Sequence, residues 1–413
     1  MPERDRTVGM LDGVNVALGV TGSIAAVKTV ELAHELRRQG AEVRAVTTSS
    51  AEGIIHPWAL GYATENPVVT EITGSVEHVE LCGRDGWADV FLVAPATANT
   101  VGKMAAAIDD TPVTTTATTA LGADVPVVVV PAMHEPMYDH PGVLDALDQL
   151  ESWGVGFVDP RIEEGKAKIA TEAAVVTEVA RATTDDSLAG EHVIVTSGAT
   201  TESIDPIRTL SNRASGRTGR AVARACYARG AEVTLVHGVV RSGGSDGSAD
   251  RGWSAGGPDY QWATVERVES AAEMLAAVEA HADSADALVS AAAISDYTVE
   301  RSPEKIRSGQ EKLTLDLEPT PKLIDTVRDE HPDLTIVGFK AETDGDEADI
   351  VARVRTLLDR AGLAFVVGNR ADVMGDDETA AVIVRPTDTD RTSGTKAALG
   401  ERVADELAAT LAE

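Results

Sequence analysis

The sequence of 413 residues is poor in cysteine, in aromatic residues and in basic charge. Its two cysteines, Cys82 and Cys226, exclude a disulfide framework and favour a reducing compartment. No stretch of about 18 apolar residues occurs, so the sequence predicts no membrane span. The first residues, MPERDRTVGMLDG, lack the apolar region of a signal peptide, and we therefore expect a cytoplasmic protein.

Acidic residues are in large excess. Asp and Glu number 67 against 36 Lys and Arg, which gives a formal net charge of −31. This balance argues against a nucleic-acid partner, because binding to phosphate backbones needs clustered Lys and Arg. The acidic residues are spread along the chain and aromatic residues make up only 3% of it. Such a composition is typical of a protein from a salt-adapted, archaeon-like source.

Two similar strand–loop–helix segments divide the chain. Val14–Val20 is an apolar run that a T-G-S loop joins to a predicted helix over Ile24–Arg38. Val193–Val195 begins a second such segment, whose predicted helix covers Arg220–Arg229. A chain of this length exceeds one core, and Thr183–Ser187 is a polar break between the segments. We predict two α/β domains, over residues 1–186 and 187–413, with a flexible insertion at about 241–261 in the second.

Both loops are candidates for binding phosphate. In the first, Gly22 lets the backbone approach a ligand and Ser23 is placed to cap the following helix. In the second, Ser215–Gly219 reads S-G-R-T-G and opens a helix of small residues. Free N–H groups and the helix dipole at such positions favour an anion. By itself, the T-G-S turn of the first loop is weak evidence, because it is also typical of an ordinary βα loop.

The first domain contains three further motifs. His78 precedes the buried strand Val90–Ala94, and its spacing alone favours a surface histidine on a short helix. The strand continues into a small-residue loop containing Asn99, whose amide is able to bind a planar heterocycle. The next predicted strand, Val125–Val130, ends in the segment PAMHEPMY, which contains His134.

The segments GVTGSIAAVK, VAPATANTVGKMA and PAMHEPMY, in this order and spacing, resemble the family of flavin-dependent cysteine decarboxylases. The resemblance covers roughly residues 12–182 and implies a flavodoxin-like, Rossmann-like fold. It also implies FMN chemistry, in which a substrate cysteine is oxidised, loses CO2 and is reduced again. The resemblance implies a catalytic role for His78 and binding of the substrate carboxylate by His134, where bacterial members carry Asn. The positions that it implies for FMN binding are Gly22, Ser23, Ile24, Thr48, Ala96, Thr97 and Asn99.

One departure from that family concerns proton transfer. Bacterial members carry a loop cysteine that reprotonates the product, but the corresponding stretch here, residues 161–168, contains none. Lys166 or Lys168 is a candidate to supply the proton or to hold the substrate phosphate. Both residues are equally compatible with an ordinary solvated loop.

The second domain carries the segment TSGATTESIDPIRTLSNRASGRTG, which resembles the start of the phosphopantothenate–cysteine ligases, a family with a second Rossmann-like fold. A decarboxylase followed by this ligase is the arrangement of a bifunctional family of coenzyme A biosynthesis. The resemblance implies CTP-dependent ligation of 4'-phosphopantothenate to cysteine through an acyl-cytidylate. The second step that it implies is FMN-dependent decarboxylation to 4'-phosphopantetheine.

The ligase resemblance implies catalytic roles for Asn212 and Lys305, with Mg²⁺ held mainly by the CTP phosphates. For CTP it implies the positions Ala291, Ala292, Ala293, Asp296, Lys305 and Phe339. Lysines that bacterial members place on the helix after Phe339 have no clear match here. Possible substitutes are Arg353, Arg355 and Arg360.

The resemblance further implies trimers of decarboxylase domains and dimers of ligase domains, which together build a dodecamer. Two other functions compete with this interpretation. Two Rossmann-like units suit a nicotinamide dehydrogenase, but neither half contains G-x-G-x-x-G followed by an acidic residue about twenty positions later. A flavin-binding electron carrier fused to a nucleotide-binding regulator is the alternative that is not an enzyme.

Overall fold

The computed structural model describes residues 9–163, 166–238, 260–307, 309, 312–342, 347–370 and 378–412. The insertion predicted at about 241–261 lies outside the described residues, except for its last two positions. The chain divides into two compact units, Met1–Asp185 and Asp186–Glu413. Within the part of the chain that is described, no helix is both long enough and apolar enough to cross a membrane.

Unit 1 is a three-layer α/β structure. Its strands are β1 (Asn15–Val20), β2 (Glu42–Thr47), β3 (Val90–Ala96), β4 (Val127–Pro131), β5 (Met133–His134), β6 (Gly156–Phe157), β7 (Arg161–Glu163) and β8 (Lys166–Lys168). Its α-helices are α1 (Thr29–Arg38), α2 (Ser49–Glu52), α3 (Pro57–Thr64), α4 (Glu77–Cys82), α5 (Ala98–Ala105), α6 (Pro112–Gly122), α7 (Glu135–Tyr138), α8 (Pro141–Ser152) and α9 (Glu172–Thr183). A 3₁₀ helix over Ile24–Lys28 precedes α1.

The main sheet of unit 1 has the strand order β2-β1-β3-β4-β6, and its neighbouring strands are parallel. This is the flavodoxin-like order, in which ligands bind outside the carboxyl ends of the strands. Every residue of β3 is buried, as expected of a central strand covered by helices on both faces. A separate antiparallel sheet contains β5, β8 and β7.

Unit 2 is also an α/β structure. Its strands are β9 (His192–Gly198), β10 (Thr201–Ser203), β11 (Thr209–Ser211), β12 (Glu232–Gly238), β13 (Thr264–Val268), β14 (Ala287–Ser290), β15 (Tyr297–Val299), β16 (Leu317–Pro319), β17 (Thr335–Glu342), β18 (Phe365–Arg370), β19 (Glu378–Val384) and β20 (Thr389–Thr395). Its helices are α10 (Arg217–Ala228), α11 (Ala271–Ala282), α12 (Leu323–Glu330), α13 (Glu347–Ala361) and α14 (Lys396–Leu411).

The large sheet of unit 2 has the order β13-β12-β9-β14-β17-β18-β19-β20. Its first six strands are parallel, and β19 and β20 continue it as an antiparallel hairpin. The predicted α/β class and the Rossmann-like plan of both units are confirmed. β9 lies in the interior of this sheet, so the loop that follows it reaches the carboxyl edge beside β14.

Two predicted elements differ from the structure in instructive ways. The helix predicted over Ile24–Arg38 begins as the 3₁₀ helix, and the Thr29 hydroxyl donates to the Ala26 carbonyl at 2.6 Å, a side-chain bond that competes with helical backbone bonding. The small and apolar segment ALVSAAA predicts a single strand over Ala287–Ala293, but the strand in the structure ends at Ser290. It ends there because the next two N–H groups donate to the Thr196 hydroxyl rather than to a neighbouring strand.

Candidate functional site

The first candidate site is a cleft at the carboxyl edge of the sheet in unit 1. Gly22, Thr48, Thr97 and Asn99, which follow three different strands, line it together. These four residues belong to the set predicted to bind FMN. The sequence analysis missed six other lining residues, which are Ser50, Thr100, Lys103, Thr111, Thr114 and Met137.

Paired hydroxyl groups are the main polar feature of this cleft. The Oγ atoms of Thr97 and Thr100 lie 3.0 Å apart, and those of Thr111 and Thr114 lie 2.9 Å apart. In both pairs the first threonine is the N-cap of a helix, α5 or α6, and accepts from the backbone N–H of the second. Thr48 caps α2 in the same way. Helix caps therefore line the cleft on several sides, an arrangement that favours a ligand with negative charge and acceptor oxygens.

Thr21 fixes the relative position of two loops at this edge. Its hydroxyl is buried, donates to the Pro95 carbonyl at 2.7 Å and accepts from the Thr97 N–H at 3.3 Å. At Gly22, a Cβ atom would lie 2.5 Å from the Ser50 Oγ, so a side chain at position 22 would displace that hydroxyl from the cleft. The loops after β1, β2 and β3 are thus locked together before any ligand binds.

Lys103 brings a positive charge to the cleft. Its ammonium group lies 2.8 Å from both carboxylate oxygens of Asp110, and its side chain is mostly buried. In the sequence, this ion pair is visible only as a lysine one turn after Asn99 and two aspartates before Thr111. Such charged residues are equally typical of a solvated surface, so the sequence does not identify the ion pair.

Three other residues predicted for FMN binding lie beside the cleft lining. Ser23 donates its hydroxyl to the Ala132 carbonyl at 3.0 Å, which joins the first loop to the end of β4. Ile24 is 78% exposed, an unusual position for an isoleucine. Ala96 is fully buried within β3, immediately before Thr97.

His78 lies on α4 and does not belong to the residues that line this cleft. Its Nδ1 atom is buried and has no hydrogen-bond partner among the described residues. Val76, the N-cap residue of this helix, adopts a left-handed conformation with φ of 49°. A β-branched residue in that conformation is strained, and such strain is concentrated at functional positions.

His134 forms the end of β5 and is exposed. In the small antiparallel sheet, His134 is paired with Lys166 of β8, and Ala167 is paired with Met133. Lys168 pairs with Arg161 on the other side. The backbone register therefore places the two candidate lysines on the strand next to His134. The side chains of residues 162–168 lie outside the described part of the structure.

The second candidate site is a cleft at the carboxyl edge of the large sheet in unit 2. The predicted phosphate loop lines it as residues 214–219, together with Ala291, Ala292, Ala293 and Phe339. The structure thus brings together four of the residues predicted for CTP and the S-G-R-T-G loop. Sequence reasoning missed four lining residues, which are Ala341, Asn369, Thr379 and Lys396.

Gly216 has the tightest surroundings in this loop. Its φ is +69°, and a Cβ atom there would lie 2.7 Å from the Gly198 nitrogen and 2.9 Å from Cε1 of His237. Its carbonyl accepts from the Ser197 hydroxyl at 2.8 Å. Only glycine suits both this conformation and this contact. The loop is therefore pressed against the ends of β9 and β12.

His237 lies beneath the loop and is almost completely buried. Burial lowers the pKa of His237 to about 3, and the nearby positive charges of Arg220 and Arg267 act in the same direction. The imidazole is consequently neutral near pH 7. Arg220 also donates to the Ser215 carbonyl at 3.0 Å, which fixes the other side of the loop.

Asn212 reaches the same region. Its side-chain amide donates to the Ala293 carbonyl at 3.0 Å, and the Ala293 N–H donates to the Gly198 carbonyl at 2.9 Å. The predicted catalytic asparagine is thereby held next to the small-residue segment that lines the cleft. The sequence separates the two positions widely, and only the pairing of β9 with β14 brings them together.

Asp296 and Lys305 are exposed and are not among the residues that line the cleft. The Asp296 carboxylate forms an ion pair with Lys322 at 2.5 Å. Lys305 lies on a loop held by the buried Asp205, whose carboxylate accepts from the Ile306 N–H at 3.1 Å. Burial opposes ionisation of Asp205, but hydrogen bonds from three backbone N–H groups and from Arg208 lower its pKa to about 2.

The arginines considered as substitutes for the missing lysines lie on α13. Arg355 donates to the Pro386 carbonyl at 3.1 Å, and Arg360 pairs with Asp325 at 2.6 Å. Arg353 is exposed on the same helix, and none of the three lines the cleft. A metal site is not evident either, because the described residues contain no group of three or more His, Cys, Asp or Glu that could hold an ion.

Two family models match the chain. The model described as Flavoprotein matches residues 5–184, and the model described as DNA/pantothenate metabolism flavoprotein C-terminal domain matches residues 188–411. Together they span both units.

Curated relatives match the chain over nearly its whole length. The coenzyme A biosynthesis bifunctional protein CoaBC of Thermococcus kodakarensis is 46% identical over 402 residues, which cover 96% of this chain and 95% of the relative. The protein of the same name from Methanocaldococcus jannaschii is 34% identical, with coverage of 96% and 94%. Among solved structures, the FMN-dependent cysteine decarboxylase SpaF matches 42% of this chain and 99% of its own, with 32% identity and a TM-score of 0.38.

Proposed function

The chain belongs to the family of coenzyme A biosynthesis bifunctional proteins, and on this basis we propose which unit carries each of the two activities. The protein is a bifunctional enzyme that ligates phosphopantothenate to cysteine and decarboxylates the product. The identity of 46% over 402 residues carries this conclusion. We assign the decarboxylase to residues 1–186 and the ligase to residues 187–413, because each unit has its own cleft.

We propose that the cleft of unit 1 holds FMN. The hydroxyls of Thr48, Thr97 and Thr111, which line this cleft together with Gly22, suit the phosphate and ribityl oxygens of that flavin. The family model described as Flavoprotein supports a flavin in this unit. When bound, the flavin supplies the two-electron oxidation and reduction that make loss of CO2 from the substrate possible.

His78 is the proposed proton acceptor in decarboxylation. Its Nδ1 is buried, so the other ring nitrogen, Nε2, is the atom that exchanges a proton with the substrate. His134 is proposed to bind the substrate carboxylate, and the strand that carries Lys166 and Lys168 is its neighbour. Changing both lysines to Met tests whether they supply the final proton. Accumulation of the unprotonated ene-thiol supports that role, and unchanged turnover contradicts it.

The proposed ligase reaction takes place at the cleft of unit 2. The carboxylate of phosphopantothenate attacks the α-phosphate of CTP and expels pyrophosphate. The amine of cysteine then attacks the acyl carbon and expels CMP. Asn212 is placed to donate to the acyl or phosphoryl oxygen, because its amide already lies beside the cleft at Ala293. Lys305, on its exposed loop, is proposed to neutralise charge on the triphosphate.

Mg²⁺ is proposed to arrive with CTP and to be held mainly by its phosphates, as the described residues offer no cluster of protein ligands.

We also propose that the protein assembles from trimers and dimers into a dodecamer. Ile24 and Val27, which follow the loop that contains Gly22, are exposed apolar residues and support contact between subunits there. Light scattering at high salt tests the assembly. We propose a cytoplasmic location, which the two buried, unpaired cysteines suit.

Two assays on the full-length protein test which unit carries each activity. Lys305→Gln removes one positive charge from the exposed loop that carries Lys305, so pyrophosphate release with CTP should fall by orders of magnitude. FMN content and CO2 release from added phosphopantothenoylcysteine should not change. Lys312→Gln, an exposed lysine seven positions later, is the matched control. Loss of decarboxylation in Lys305→Gln would show that the assignment of the units is wrong.

A further inference from the structure

We infer that Lys396, together with Arg217, forms a phosphoryl-binding subsite in the cleft of unit 2. The inference rests on the proposed ligase function of that unit. Lys396 and Arg217 take the place of the lysines that the ligase resemblance implies on the helix after Phe339.

The two residues reach the cleft from distant parts of the sequence. Arg217 is the first residue of α10, and Lys396 is the first residue of α14. Both line the same cleft, together with the Gly216 loop and Phe339. Thr395 caps α14 by accepting from the Ala398 N–H at 3.1 Å, so this helix has a well-defined start at the cleft.

Close packing fixes α10 and α14 side by side. At Gly400, one turn into α14, a Cβ atom would lie 2.7 Å from the backbone carbonyl carbon and oxygen of Ala221. Further along, Arg229 after α10 donates to Asp405 in α14. The contact within α10, at Ala221, and the contact just after it, at Arg229, therefore follow the same order as their partners Gly400 and Asp405 in α14. The two helices run in the same direction, and both present their N-terminal ends to the cleft.

The charge of the cleft lining is unusual for this protein. Acidic residues outnumber basic ones by 67 to 36 in the sequence, yet no acidic side chain occurs among the described residues that line this cleft. The charged lining residues are Arg217 and Lys396. Two cations and two helix N-termini, with no carboxylate among the described lining residues, favour an anionic ligand.

The arginines of α13 do not offer an equivalent site. Arg355 and Arg360 lie outside the residues that line the cleft, whereas Arg217 and Lys396 line it. The ligand of the Lys396 subsite is a phosphoryl group with oxygens free to accept from an ammonium and a guanidinium. In the ligase reaction such a group comes either from the triphosphate of the nucleotide or from the phosphate of phosphopantothenate.

Lys396→Met in the full-length protein tests the subsite. Initial rates of pyrophosphate release are measured while CTP and phosphopantothenate are varied separately. The KM of one substrate should rise by about tenfold or more, because a charge-assisted bond to phosphate is lost. A rise confined to CTP assigns the subsite to the triphosphate, and a rise confined to phosphopantothenate assigns it to that phosphate.

Three further measurements make the test decisive. Lys396→Arg keeps the charge and should retain most of the wild-type KM, whereas a merely structural role would not be rescued in this way. Arg355→Met is the matched control outside the cleft, and FMN content with CO2 release reports on unit 1. If Lys396→Met folds with both KM values unchanged, the subsite is wrong, whatever happens to kcat. A wild-type protein that releases no pyrophosphate would instead overturn the proposed ligase function.

Discussion

The guanidinium of Arg229 donates to the carboxylate of Asp405 at 2.7 Å and to Glu401 at 2.5 Å, and thereby ties α10 to α14. The Arg229 side chain is 8% exposed, whereas Asp405 remains 54% exposed. The positive charge is thus removed from water while its partners keep part of their hydration. These bonds hold together the two helices whose first residues line the ligase cleft.

Removal of Arg229 should destabilise unit 2. Arg229→Met leaves two carboxylates facing each other without their cation, and we expect a loss of about 2 kcal/mol in unfolding free energy. Arg360→Met is the matched control, because its ion pair with Asp325 is exposed and should contribute less than about 1 kcal/mol. Thermal unfolding followed by calorimetry measures both. Equal shifts for the two variants would contradict this account.

Gly216→Ala should damage the ligase cleft. The new Cβ would lie 2.7 Å from the Gly198 nitrogen, and a φ of +69° is itself unfavourable for alanine. We expect a clear loss of CTP-dependent pyrophosphate release with FMN content unchanged. Gly362→Ala isolates the backbone effect, because Gly362 has a φ of +57° and no neighbouring atom within 4 Å of the added Cβ. Ligase activity should survive in that control.

His237 should make unit 2 sensitive to acid. Burial, Arg220 and Arg267 lower the pKa of His237 from 6.5 to about 3 in the folded protein. The unfolded chain therefore binds a proton that the folded chain rejects, and stability falls as the pH drops below about 6.5 towards 3. The slope for one proton is about 1.4 kcal/mol per pH unit.

The comparison with His237→Gln isolates this contribution from the titration of carboxylates. The variant has no imidazole to protonate, so its unfolding free energy should fall less steeply between pH 6 and pH 4 than that of the wild type. Parallel curves would show that His237 does not titrate between the folded and unfolded states.

His78→Asn should separate flavin binding from decarboxylation. An amide cannot accept a proton near pH 7, so CO2 release should fall by about 10²-fold or more, while the flavin absorbance of the purified protein is retained. His56→Asn is the matched control. His56 caps α3 by accepting from the Trp58 N–H at 3.2 Å, and asparagine caps helices equally well. Near-normal decarboxylation by His78→Asn would remove His78 from the site.

Much of the fold is encoded locally, and the sequence predicts that part well. The segment EVRAVT, between Gly40 and the hydroxyl residues that begin at Thr48, predicts a strand over Glu42–Thr47, and the strand has those bounds in the structure. The same local signals predict the two α/β units. The motifs around Gly22, Thr97 and His134 also identify the family, since a particular ligand requires particular residues in a short segment.

The composition of each cleft depends instead on strand order. Thr111 and Lys103 line the cleft of unit 1, and Lys396 lines the cleft of unit 2, because parallel strands bring loops from distant segments to one edge. The hydrophobic periodicity of a short segment does not predict this strand order, and therefore does not predict which residues line each cleft. Thr395 is a recognisable cap for the helix that Lys396 begins, but only the packing of that helix against α10 explains why the lysine lines the cleft of unit 2. The sequence by itself determined the fold class and the chemistry of the motifs, whereas the tertiary structure decided which distant charges share a site with them, because that depends on contacts between segments far apart in the chain.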